Sequence, residues 1–203
     1  MAVPGRPNGL GDEDEDEDIF VGEEMELQPL DANTYPHLRE VAIAAEHGQL
    51  DSLRHALGNL SSINEPVEDG DTALHLSCLY GQLPCVQLLL EKGAYLEVKD
   101  AENAIPLHDA CAGGFTQIVQ LLINSTSDPA CVKRMLETAD VEGDTPLHHA
   151  ARGEHVDVIR LLLASGASPT KTNMYGKTPG DLAECDTEAK RVLEEAVIAM
   201  RGC

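Results

Sequence analysis

Three histidines, two arginines and several carboxylates crowd into "EGDTPLHHAARGEHVDVIRLLLASGA", residues 142–167. Such a cluster could hold a base and its orienting acid, or ligate a metal. A catalytic cluster normally occurs once in a chain, whereas a structural unit recurs at fixed spacing. "GDTALHLSCLYGQLPCVQLLLEKGA" begins at Gly70 and "NAIPLHDACAGGFTQIVQLLI" at Asn103, a shift of 33. The stretch at Gly143 lies 40 further on, and "GKTPGDLA" at Gly176 follows after another 33. Upstream, Gly48 of "VAIAAEHGQLDSLRHAL" precedes Gly81 by 33. His75, His108 and His148 therefore occupy one repeated position, and chemistry that needs convergent groups would find them strung along a stack.

Nor do other constellations favour catalysis. Cys78 and Cys111 lie near His75 and His108 as a nucleophile and base might, yet their position-for-position recurrence makes them core residues. His149 with His148 and Glu154 matches no zinc spacing. Neither a G-x-x-x-x-G-K-[ST] loop nor a G-x-G-x-x-G turn is present, so no nucleotide site is indicated. The reading is of no catalytic residue, no cofactor and no metal.

The elements that carry these residues are helical. Thr145 can cap a helix starting at Pro146, with Leu147, Ala150 and Ala151 inward. A second helix is expected over Val156–Ala164, with Val156, Ile159, Leu162 and Leu163 on one stripe and Gly166 ending it. The polar stretch from Ser168 to Lys177 leaves and returns as a hairpin. One such pair cannot bury both helices, so neighbouring units must cover each other in a stacked solenoid.

Residues 1–34 carry 11 acidic side chains against Arg6, part of a formal net charge of −22. They hold too few apolar groups to offset chain entropy and read as a disordered acidic tail. Within them "DIFVGEEMEL", residues 18–27, mixes apolar groups with acids, as a plain solvated segment or one that folds on a partner. So acidic a chain repels phosphate backbones and anionic lipid, leaving basic proteins as natural attractors. No apolar run approaches the ~20 residues of a membrane span, and no signal core opens the chain. The six cysteines form no C-x-x-C pair, which points to reduced thiols and to cytoplasm or nucleus.

"GDTPLHHAA" with "VIRLLLASGA", and "GDTALHLSC…VQLLLEKGA", closely resemble the ankyrin repeat, a resemblance that covers roughly residues 35–203. It implies an all-α solenoid of helix-turn-helix units with hairpin fingers. The units run about 35–66 (N-cap), 67–99, 100–139 with an insertion, 140–172, and 173–203 (C-cap). It also implies that the repeated histidines hydrogen-bond neighbouring backbone and fingers. Departures from the pattern are Ile105 at the capping threonine, which cannot cap and should weaken its unit, and Glu154 at the inter-helix glycine, where the turn should be distorted. The seven extra residues include Asp128-Pro129, a helix start, with Val132, Met135 and Leu136 as an apolar stripe and Lys133 and Arg134 outward.

The family resemblance assigns recognition to finger tips and the exposed side of each first helix. Transferred here, that selects Glu68, Asp69, Asp71, Leu79 and Tyr80, then Ala101, Glu102, Ala104, Ala112 and Gly113. Val141, Glu142, Asp144, Arg152 and Gly153 follow, then Met174, Tyr175 and Lys177. The acids would steer a basic partner, and Leu79, Tyr80, Met174 and Tyr175 would anchor its apolar part. The function expected is that of a monomeric, non-catalytic adaptor for a protein with a basic or basic-apolar surface, without direct nucleic-acid or membrane binding. The alternative is a chaperone or assembly factor whose acidic tail shields a basic client.

Overall fold

The computed structural model describes residues 36–67 and 70–201. The acidic tail, its 18–27 segment, Glu68 and Asp69 lie outside the described residues. Eleven α-helices and one short 3-10 turn, but no β-strand longer than a single bridge residue, occur among the described residues. Helices α1 (Pro36–Glu46) and α2 (Leu50–Ala56) form the first pair, and α3 (Ala73–Leu79) and α4 (Leu83–Glu91) the second. The third pair is α5 (Pro106–Ala112) and α6 (Thr116–Asn124), followed by the inserted α7 (Pro129–Glu137). Helices α8 (Pro146–Arg152) with α9 (Val156–Ala164), and α10 (Pro179–Leu182) with α11 (Glu188–Arg201), complete the series.

First helices α1, α3, α5, α8 and α10 stack on one another as an inner layer; α2, α4, α6, α9 and α11 form the outer one. Inner neighbours pack more closely than outer neighbours, so the stack curves and its concave face is the inner layer with its fingers. One continuous apolar core runs between the layers, holding Leu74, Leu89, Leu107, Ile118, Leu122, Leu147, Ile159 and Leu162 with almost no exposure. Each such Leu or Ile contributes about 1.5–3 kcal/mol, which an isolated pair could not collect. Cys78, Cys85 and Cys111 are buried and unpaired within this core, where burial pushes their thiols up from the ordinary value.

The stripe on α9 differs in one respect from its sequence pattern. Val158, Ile159 and Leu162 are fully buried, while Val156 and Leu163 are only partly covered. The insertion folds as its residues suggest. The Asp128 carboxylate accepts from the backbone N–H groups of Ala130 at 2.9 Å and Cys131 at 3.2 Å, Met135 and Leu136 are buried, and Lys133 and Arg134 lie outward. Arg134 ties the helix to the solenoid by two bonds of 2.9 Å to Glu97.

The turn at Glu154 is not distorted, contrary to expectation. Gly48 (φ 66°), Gly81 (70°) and Gly114 (71°) adopt left-handed backbone at this position, and Glu154 adopts it too, at 57°. The closing bond from His155 N–H to the Ala150 carbonyl, 3.0 Å, matches that from Phe115 to Ala110, also 3.0 Å. The strain therefore sits in one residue's φ rather than in the turn, and Glu154 Oε1 accepts a 2.6 Å bond from Glu184 N–H across the stack. Glu154→Gly should stabilise the fold by about 1 kcal/mol, read as a Tm increase of roughly 2–4 °C by calorimetry. An unchanged or lower Tm would mean that the bond to Glu184 outweighs the strain.

Candidate concave recognition face

The repeated histidines join the units. His148 Nδ1 accepts the Thr145 backbone N–H at 3.1 Å and lies 2.8 Å from the Thr145 hydroxyl. The imidazole thus receives the backbone N–H of the residue that caps α8. With Nδ1 an acceptor, the proton resides on Nε2, which donates to the Lys177 carbonyl of the next finger at 3.2 Å. His75 repeats the arrangement, accepting from Thr72 N–H at 3.2 Å and reaching the Ala104 carbonyl at 3.4 Å. Burial lowers the affinity of both rings for a second proton, and it brings His108 down to about 4. They are neutral linkers at neutral pH.

The unit containing Ile105 keeps half of this device. Ile105 N–H still donates to His108 Nδ1 at 3.0 Å, and the isoleucine side chain, which cannot cap, is fully buried instead. His108 Nε2 makes no bond of ordinary geometry, although the Asp144 carbonyl, standing where those of Ala104 and Lys177 serve the other two rings, raises its proton affinity, and the ring meets His149 edge-on at 5.4 Å.

Fingers are organised by three residues that the sequence reading passed over. Asp100 Oδ1 accepts from the backbone N–H of Glu102 and Ala104, both at 2.8 Å. Asp140 does the same for Glu142 and Asp144 at 2.9 Å, and Asn173 for Tyr175 and Lys177 at 3.0 Å. An Asx residue three positions before each finger's turn Gly or Asn, repeated at the unit spacing, was the available signal. Adjacent fingers are then bonded tip to tip, Val141 N–H to the Glu102 carbonyl at 2.8 Å and Met174 N–H to the Glu142 carbonyl at 2.9 Å.

This bonding brings Ala101, Glu102, Val141, Glu142, Met174 and Tyr175 into one row. Met174 and Tyr175 are 75% and 68% exposed and Val141 49%, an unusual display for a chain with four tyrosines. Leu79 and Tyr80 are exposed at the end of α3, three units away from Tyr175. Ala112, Gly113, Gly153 and Lys177 are exposed as well, and Asp71 is partly buried.

Two of the expected surface residues are interior. Ala104 is buried beneath its finger. Asp144 is fully buried, because Arg152 pairs with one carboxylate oxygen and Asn173 Nδ2 donates to the other at 2.7 Å. Arg152 is itself committed to this pair and half exposed, so both residues hold the finger on its helix rather than offering free charge. His149 pairs with Asp140 at 2.8 Å, not with Glu154.

Two groups of side chains bring possible metal-ligating atoms together, Asp71 with His75 and Asp100, and Asp140 with Asp144 and His149. The tautomer decides against the first, since His75 Nε2 presents a proton, not a lone pair. In the second, Arg152, Asn173 and His149 already occupy the carboxylates. Among the described residues no helix is long and apolar enough to cross a membrane.

Stacked helix pairs with hydrogen-bonded fingers and a histidine at the start of each first helix of the full units define a repeat solenoid. Residues 41–131 match the family model for ankyrin repeats in three copies, and residues 142–174 match the single ankyrin-repeat model. The chain belongs to the ankyrin-repeat family. It is 43% identical over 60 residues to mouse Rabankyrin-5, covering 30% of this chain and 5% of that protein. It is 41% identical over 59 residues to human protein phosphatase 1 regulatory subunit 27, covering 29% and 38%. With the putative ankyrin repeat protein YahD of Escherichia coli it shares 29% over 92 residues, 45% and 46% of the two chains. The chain thus spans less than half of each of these relatives. Ankyrin repeats generally mediate protein–protein interaction and are typically non-catalytic.

Proposed function

We propose that the chain is a non-catalytic adaptor that holds one protein partner on its concave face. The observation that carries this reading is the exposed apolar row of Val141, Met174 and Tyr175, joined to Glu102 and Glu142 by finger-to-finger bonds, with Leu79 and Tyr80 at the other end. Exposed Tyr and Met on a rigid frame supply anchors at little entropic cost, and the surrounding carboxylates steer a basic surface toward them. The partner proposed has a basic or basic-apolar surface; nucleic acid and membrane are not partners, and the adaptor acts as a monomer in cytoplasm or nucleus. Asp71, Leu79, Tyr80, Glu102, Glu142, Met174, Tyr175 and Lys177 form the contact surface, with Glu68 and Asp69 as further contacts. The acidic tail collects basic proteins or aids solubility.

Affinity capture from a lysate tests this with the full chain, residues 35–203, and a folded Tyr80→Ala/Tyr175→Ala variant. The adaptor reading expects a protein retained by the first two and lost by the third. Loss only on removing the tail, with many highly basic proteins in the full-length capture, would replace it with a chaperone or assembly factor shielding a basic client.

A further inference from the structure

The last unit departs from the three before it at one core position. Leu74, Leu107 and Leu147 are the second residues of α3, α5 and α8, and each is 1% exposed. The second residue of α10 is Gly180. The apolar side chain that fills the start of the inner layer three times is therefore missing the fourth time.

A cavity of about 310 Å³ opens where it is missing, between α10 and α11 at the end of the stack. Pro169, Thr178, Gly180, Leu193, Val197 and Ile198 wall it. Gly180 is not among the residues with left-handed backbone, so its conformation does not demand glycine. A Cβ built there would meet, as its nearest atoms, the Thr178 hydroxyl oxygen at 3.7 Å and Leu193 Cβ at 3.8 Å. Both lie on the cavity wall and at ordinary contact distance, so a side chain at this position would enter the cavity.

The surroundings of the cavity are apolar on two sides. Ile198 and Met200 on α11 are 68% and 57% exposed, and the finger that leads into Thr178 carries the exposed Met174 and Tyr175. Three charged groups frame the opening. Lys190 Nζ donates to the Gly180 carbonyl at 2.5 Å and stands 4.0 Å from Glu194, while the Asp181 carboxylate accepts from the Thr178 N–H at 2.9 Å and hydroxyl at 2.7 Å. Two carboxylates against one ammonium leave the rim negative.

We propose that this socket receives a leucine-sized apolar side chain of the bound protein, flanked there by basic residues that meet Asp181 and Glu194. This rests on the concave-face reading above and carries the finger row of Met174 and Tyr175 around the end of the stack. A pocket that takes one buried aliphatic anchor beside exposed aromatic and methionine side chains is the usual centre of a protein contact. The chain's own residues 18–27 offer Ile19, Phe20 and Val21, but Glu23, Glu24 and Glu26 beside them are repelled by the same rim that attracts a basic flank.

The test is a 15N NMR titration of the full chain at low ionic strength with the acetylated peptide amides Lys-Leu-Lys, Lys-Gly-Lys and Glu-Leu-Glu. The first is expected to give saturable shifts confined to residues 178–182 and 190–198, and the other two to bind about tenfold more weakly. Gly180→Leu, which places the missing side chain in the cavity, is expected to abolish the shifts and raise Tm. Ile198→Ser changes an exposed position on the wall and is expected to weaken binding about fivefold. It decides the matter alone if Gly180→Leu does not fold.

Absence of saturable binding, equal binding of the leucine and glycine peptides, shifts scattered over all acidic surfaces, or unchanged binding by folded Gly180→Leu or by Ile198→Ser would each overturn the proposal. So would shifts at these residues that follow protein concentration without peptide, which would give the socket to a second copy. Binding that emerges only in Ile19→Ser/Phe20→Ser would give it to the acidic tail, and would overturn it too. Because the probes are short peptides, such a failure leaves the adaptor reading standing. That reading falls on the Tyr80/Tyr175 capture result instead.

Discussion

Asp109→Asn gains stability over the wild-type protein steadily as pH rises from about 4 to 8. The carboxyl of Asp109 is raised to about 8 in the folded chain, by burial and then by Asp71, Asp100 and Glu102, whereas in the unfolded chain it titrates near ~3.9. Between those values the folded state binds the extra proton, so raising the pH removes stability from the wild-type protein, fully so above the folded value. Asparagine keeps the shape and removes the proton. The difference between the two proteins should be near zero at pH 4 and reach a few kcal/mol, on the order of 3, at pH 8. Urea unfolding midpoints at pH 4.5, 6 and 8 measure it. A constant offset across that range would show that Asp109 keeps an ordinary carboxyl.

Arg152→Ala should cost about 3 kcal/mol and lower Tm by roughly 6–12 °C. The substitution leaves the Asp144 carboxylate fully buried with the Asn173 amide at 2.7 Å as its remaining side-chain donor. An uncompensated buried charge is the expensive outcome, whereas removing both charges is tolerated. The chain contains that experiment already, since Ala104 and Ala112 occupy the corresponding positions in the preceding unit, which folds. Arg152→Ala/Asp144→Ala is accordingly expected to recover about 2 kcal/mol of the loss in a double-mutant cycle. Additive costs would mean that the pair contributes little beyond the separate residues.

Much of the fold is legible because repetition averages over local ambiguity. Pro146 at the start of α8, Ala164 at the end of α9 and Asp128 before α7 are set by capping and proline geometry, which act within a few residues. Contacts between units are less legible. Asp144 reads as an exposed finger acid until Arg152 and Asn173, eight and 29 positions away, close over it. Glu154 reads as a turn breaker, yet the packing around it enforces the left-handed conformation that glycine takes in the other turns. Asp100, Asp140 and Asn173 escape notice because an Asx residue bonding its own finger's backbone leaves no periodic apolar trace. The face itself was readable where a side chain had nothing to bury against, as with Tyr80, Met174 and Tyr175.

The most direct test of the concave-face account is amide hydrogen exchange of the full chain, free and bound to the protein it captures. The account predicts slowed exchange on binding at the finger tips, residues 101–102, 141–142 and 174–175, and at the end of α3 around Leu79 and Tyr80. Protection confined to the outer helices α4, α6 and α9, with the fingers unchanged, would contradict it.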